Sequence, residues 1–411
     1  MLTASPSPSP SPSPSPRLRV LVVTKLFPNS VRPSFSIFNR LQMKALAESC
    51  DVDIRATIPW FPGARLVERW SPAGQFADVP GQEIIDGAKV MHPRYLAIPK
   101  IGRRLAPALY AASLWPSVRH LKGQVDVVLG CWAFPDGLAC VLLAERLGAA
   151  VAIKVHGSDL NVLPKTPVLR KMLADGLPRA HRLIAVSRPL GERAAELGVR
   201  RDRIEIVLNG VDRDIFRVHD RGAAREALGV PRPGRLIVYV GRLDRAKGVL
   251  DLLEAFRGLA PLKPDLDLAL VGGGPELARC QAVAAEFPGR VSLPGALPMA
   301  EVSRWMGACD ILTLPSWNEG TPNVLLEAFA CGRRVVATDV GGIPDVVTSP
   351  VLGDLIPAKD VPALAAALGK AAYVDYDTAP LTAAAPYGWP ASGARLHDVL
   401  QAAVRERDAG R

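Results

Sequence analysis

Two carboxylates separated by seven residues, Glu319 and Glu327, stand in the segment Leu314-Pro-Ser-Trp-Asn-Glu-Gly-Thr-Pro-Asn-Val-Leu-Leu-Glu-Ala-Phe-Ala-Cys-Gly332. A strand ends at Leu314 and a polar loop follows. Thr321 suits a helix N-cap, Pro322 suits the first helical position, and Gly332 suits the helix end. The start of such a helix presents free N–H groups and partial positive charge, which fits a diphosphate. Glu319 falls in the loop and Glu327 in the helix. A carboxylate on a buried helix needs a partner, and two candidates fit: a ribose diol or a neighbouring arginine.

Other residues could serve the same anion. In Val240-Gly-Arg-Leu-Asp-Arg-Ala-Lys-Gly248, Gly241 ends a strand, and Arg242 and Lys247 can bring two full charges to one phosphate. Val271-Gly-Gly-Gly-Pro-Glu276 places Gly273 at a strand end where backbone can approach a ligand closely. This is neither the dinucleotide fingerprint nor a P-loop, so a nicotinamide cofactor is disfavoured. His156 follows a strand in Val155-His-Gly-Ser-Asp159. A single histidine in that place is more often structural than catalytic. No zinc-type cysteine spacing occurs, and no metal site is expected.

The elements that must position these residues alternate between strands and helices. Apolar runs at Arg17–Thr24, Val125–Leu129, Ala150–Val155 and Leu183–Val186 predict one parallel, Rossmann-like unit. After a Pro-rich joint, Val230–Gly234, the pattern restarts with Leu236–Val240, Leu266–Val271, Val291–Leu293, Asp310–Leu314 and Arg334–Ala337. A length of 411 residues also calls for two domains. The expected division is a disordered Ser-Pro tail over 1–16, an N-terminal unit over 17–200 and a C-terminal unit over 201–387. A last helix near 388–411 is expected to cross back to the first unit. Ligands of such folds sit where strand ends converge, here the cleft between the units.

Composition narrows the setting. The six cysteines lie singly in apolar stretches, which predicts buried thiols and a reducing, cytoplasmic compartment. The Ser-Pro segment lacks the pattern of a secretory signal, and no run reaches a bilayer-spanning length. Residues 1–200 hold 26 Lys and Arg against 14 Asp and Glu, whereas the remainder holds 24 against 26. That asymmetry suggests an anionic partner for the first half. Lys100, Arg103 and Arg104, ahead of Leu105, Leu109, Leu114 and Trp115, suggest docking on an anionic membrane surface at the inner face. The pI of about 9.5 would suit nucleic acid, but no recognisable motif supports that partner.

The Glu319–Glu327 spacing resembles the E-x7-E signature of retaining GT-B glycosyltransferases of family 4, also called group 1. Gly241-Arg242…Lys247-Gly248, Gly272-Gly273-Gly274-Pro275, Gly341-Gly342-Ile343-Pro344 and Asn209-Gly210-Val211-Asp212…Phe216 resemble that family in the same order. The resemblance covers nearly all the chain after residue 17. It implies an α/β GT-B fold, with two Rossmann-like domains facing across a cleft. It also implies a nucleotide-sugar donor, and a polysaccharide, glycolipid or glycoconjugate acceptor.

By the same resemblance, Arg242 and Lys247 neutralise the diphosphate, Glu327 holds the ribose, and Glu319 and His156 face the donor sugar. Gly320, Thr321, Pro322 and Asn323 surround the sugar and phosphate, and Leu297 lies near the base. Ser36 stands where relatives place a phosphate-contacting glycine, and Cys131 where they often place a histidine. No carboxylate is left to act as a nucleophile. The implied mechanism is front-face transfer without metal or other cofactor, helped by orientation and charge stabilisation. A nucleotide-sugar epimerase and a degenerate nucleotide-sugar-binding subunit are the alternative readings.

Overall fold

The computed structural model describes residues 17–33, 35–64, 72–97, 102–230, 234–385 and 387–410. The Ser-Pro segment, Lys100 and most of the Pro-rich joint therefore lie outside the described residues.

The first sheet comprises β1 (Leu18–Thr24), β2 (Cys50–Ala56), β4 (Gln82–Ile85), β5 (Ala88–Met91), β7 (Val127–Gly130), β8 (Ala150–Val155), β9 (Arg182–Ala185) and β10 (Ile204–Ile206). Its order is β10-β9-β8-β7-β1-β2-β5-β4, parallel throughout except for the β4–β5 hairpin. β3 (Ile58–Trp60) and β6 (Arg94–Leu96) form a separate pair. The second sheet holds β11 (Arg235–Val240), β12 (Leu266–Val271), β13 (Val291–Gly295), β14 (Ile311–Leu314), β15 (Val335–Thr338) and β16 (Gly353–Ile356). It is wholly parallel, in the order β13-β12-β11-β14-β15-β16.

Helices cover both faces of each sheet, so the central strands are apolar at nearly every position. In β1, Leu21 and Val23 join the core on one face and Val20 and Val22 the core on the other. β2 and β10 were not expected as strands. Asp51, Asp53 and Arg55, or Arg201 to Glu205, break the apolar run that marks a strand buried on both faces. β10 also carries the first sheet past residue 200, beyond the boundary expected from sequence.

Four helices matter to the site. α1 (Ile37–Leu46) follows β1, α2 (Ala106–Val118) covers the first sheet, α3 (Asn323–Ala330) follows β14, and α4 (Trp389–Ala409) ends the chain. α4 packs on the first unit. Its Leu396, Leu400 and Ala403 join the same core as Val20 and Val22. A Cβ added at Gly393 would lie 2.8 Å from the Ala45 Cβ. Near the far end, Glu406 accepts from Arg182 and Arg203, with Arg200 3.6 Å away.

On α2, Tyr110 and Leu114 are fully buried, and the half-buried Trp115 lies under the Arg146 guanidinium. Of the cations and large apolar residues expected to dock, Arg103, Arg104 and Leu105 are exposed, whereas Leu109 and Trp115 are half-buried and Leu114 is buried. No helix among the described residues is long and apolar enough to cross a membrane. All six cysteines are buried and free.

Candidate active site

The loop from β14 to α3 carries the central geometry. The Lys247 ammonium donates to Glu319 Oε1 at 2.7 Å, and the Ser316 hydroxyl donates to the same oxygen at 2.7 Å. Lys247 comes from a short helical turn whose Asp244 side chain caps Ala246 N–H. Gly248 then adopts φ 70°, with space for a Cβ closed by the Pro315 carbonyl only 1.9 Å away. The sequence thus brings Lys247 and Glu319 together. Arg242 is not drawn in: its exposed guanidinium lies 3.5 Å from Asp244 in its own loop.

The expected cap is corrected by the structure. α3 begins at Asn323 with Pro322 before it and without a side-chain cap, one residue later than expected. The Thr321 hydroxyl instead donates to the Val186 carbonyl of the first unit, so it is spent on joining the two halves. The helix end agrees with expectation. Gly332 follows Cys331 with φ 67°, the left-handed geometry that favours glycine.

Glu327 lies one turn beyond Asn323, on the same side of α3. Its carboxylate forms no hydrogen bond or ion pair among the described residues, so the arginine partner left open by the sequence is absent there. Burial pushes its carboxyl up to about 7. Leu297 packs half-buried against the second unit's core. A side chain at Gly273 would meet open space, and Gly241 follows β11 with φ 158°.

From the other side, His156 rises at the end of β8. Its ring lies 4.9 Å from that of Phe38 and 6.4 Å from that of Trp132, and its Nε2 is buried without a partner among the described residues. Burial, aided by the Lys154 charge, holds the imidazole well below its usual pKa and therefore neutral near pH 7. Asp159 fixes the loop by accepting from the backbone N–H groups of His156, Gly157 and Ala133. Trp132 in turn lies beneath the Lys25 ammonium. Cys131 is fully buried and its thiol is pushed up to about 12, so it cannot stand in for a histidine.

The two units meet backbone to backbone at Gly320. A Cβ there would lie 2.0 Å from the His156 carbonyl oxygen, and one at Gly342 would lie 2.0 Å from the Gly320 carbonyl oxygen. Asn161 donates to Asn318 at 3.1 Å and to the Glu319 carbonyl at 3.4 Å, and Arg188 N–H donates to Asp345 at 2.7 Å. Sequence reasoning missed Asn161, Phe38 and Trp132 as parts of the site. The aromatic pair flanking a strand-end histidine was the available signal, whereas Asn161 gave none. Ser36 stands at the head of α1 with φ 52° and no cap bond.

Two Rossmann-like units closed around a cleft with these strand-end loops define the GT-B class of glycosyltransferase. Residues 234–372 match the family of glycosyl transferases group 1, and residues 66–215 match glycosyltransferase family 4. A D-inositol 3-phosphate glycosyltransferase of Catenulispora acidiphila is 30% identical over 381 residues, covering 86% of each chain. A Bacillus subtilis protein, named as a candidate teichuronic acid biosynthesis glycosyltransferase, is 29% identical over 79% of this chain and 82% of its own.

Among solved structures, Anabaena HepE in complex with UDP superposes with a TM-score of 0.69 at 18% identity, covering 93% of this chain and all of that one. Sucrose-phosphate synthase from Thermosynechococcus elongatus gives 0.70 at 19%, over 93% and 98%. The chain belongs to the group 1, family 4 GT-B glycosyltransferases. It is a transferase enzyme.

Proposed function

We propose that the enzyme moves a sugar, with retention of configuration, from a nucleotide-diphosphate sugar to a polysaccharide, glycolipid or glycoconjugate acceptor. The observation that carries this reading is Glu327, a carboxylate without a partner among the described residues, one turn into the helix that would face the donor. A ribose diol supplies the donors it lacks. Lys247 and Arg242 would neutralise the leaving diphosphate, with Arg242 leaving Asp244 to do so, and no metal or other cofactor is then required. His156, neutral and with a free Nε2, would hydrogen-bond a sugar hydroxyl. Glu319, tied by Lys247 and Ser316, would orient the sugar from the opposite wall. The leaving phosphate oxygen would take the acceptor proton on the same face. HepE, solved with UDP and with UDP-glucose, supports a nucleotide-sugar donor.

The test is a screen of UDP-, GDP- and ADP-sugars for thermal stabilisation, since a ligand bound only by the folded state raises its stability. The anomeric configuration of the product then follows by NMR. Inverted product, or activity abolished by a chelator, would sink the mechanism. A cytoplasmic enzyme peripheral to the inner membrane face would use the exposed Arg103, Arg104 and Leu105 for docking. With Leu114 turned into the core, that patch is smaller than the sequence suggested. Absence of flotation with anionic liposomes at low salt would remove the membrane from the reading.

A further inference from the structure

Lys154 is fully buried in the middle of the first unit and no carboxylate pairs with it among the described residues. Its ammonium donates to Gln42 Oε1 on α1 and to Asn209 Oδ1, 3.4 Å away, in the segment joining the units. A charged amine has donors and no acceptor, so both amides must present oxygen to it and turn their NH2 groups away. The Gln42 NH2 then donates to Ser392 on α4 at 2.9 Å, and Ser392 donates to the Leu208 carbonyl at 2.8 Å. The Asn209 NH2 donates to Asn323 Oδ1 at 2.9 Å. That fixes the last amide as well: Asn323 accepts with its oxygen and is left with an NH2 group that has no protein partner among the described residues.

We propose that Lys154 is a positioning residue for the donor, acting through Asn209 to make Asn323 offer its NH2 group, rather than its oxygen, to the diphosphate at the start of α3. This rests on the nucleotide-sugar reading above. A buried, unpaired ammonium is costly, and burial lowers its pKa to about 8. Its retention therefore needs a reason other than stability. The relay supplies one, because an inverted Asn323 would turn a carbonyl oxygen toward phosphate oxygens.

The test is calorimetry with UDP, GDP and ADP on wild type, Lys154→Met, Asn323→Ala and the double variant. Wild type binds one of the three. Each single variant weakens that binding about tenfold, the worth of one good hydrogen bond to a charged group, and the double variant is no weaker than either single one. Lys154→Met melts no lower than wild type, which separates positioning from a fold-supporting role. Unchanged affinity in Lys154→Met, or losses that multiply in the double variant, would overturn the relay and leave the donor reading intact. Failure of wild type to bind any of the three would overturn both.

Discussion

Glu327 holds its proton unusually high for a carboxyl, and ribose hydroxyls donating to it would favour the ionised form. Nucleotide binding near pH 6 should therefore release protons, measurable by calorimetry in buffers of different ionisation enthalpy. Zero net release there would argue against a ribose partner. The same group makes a stability prediction for the free enzyme. Its pKa is raised on folding from an ordinary value near 4.5 to about 7. The native state thus holds the proton while the unfolded state loses it, and stability falls as pH rises through that window. Glu327→Gln should flatten this fall in a pH series of denaturant titrations. Lys247→Ala should slow transfer by about 2–4 kcal/mol of transition-state stabilisation if it meets the departing diphosphate. Equal effects of Lys247→Ala on donor binding and on turnover would point instead to simple support of Glu319. Ser36 adopts a left-handed backbone that disfavours every residue bearing a Cβ. Ser36→Gly should raise stability by up to about 1 kcal/mol, read as a shifted denaturation midpoint.

At the scale of elements, the loop between β14 and α3 is held by contacts to both units. Gly320→Ala would push a methyl into the His156 carbonyl. It should lose most activity while circular dichroism retains both sheets; wild-type turnover in this variant would show that the closed approach is dispensable. The mostly apolar strands β1, β8, β11 and β12 were legible to within a residue, because strands buried on both faces carry few polar side chains, Lys154 in β8 and Asp267 in β12 among them. Strands such as β2, with charges at alternate positions, sit toward the edge of the sheet and lose that signature. The place of Glu319 in the loop after β14 and of Glu327 on α3 could be read from local order along the chain. Thr321 could not, since the choice between capping its own helix and reaching Val186 depends on where the other unit sits. Phe38 comes from the first turn of α1, and Trp132 and His156 from the loops after β7 and β8, so their convergence is a property of strand order.

Over the whole molecule, α4 returns to the first sheet and is anchored at both ends, by Ser392 to Gln42 and by Glu406 to three arginines. Glu406→Gln removes a mostly buried charge from that group and should destabilise the protein by about 1–3 kcal/mol, as seen in chemical denaturation. An unchanged midpoint would show that the three arginines are content with solvent. Apolar residues of α4 cover the same core as β1, yet they leave the ribosome only after every strand of the second unit. The half synthesised first therefore waits for α4, whereas the second unit has all its strands beforehand. Maturation in the cell should accordingly run against the usual direction, with the later half compact first and the earlier half sealed once α4 has emerged.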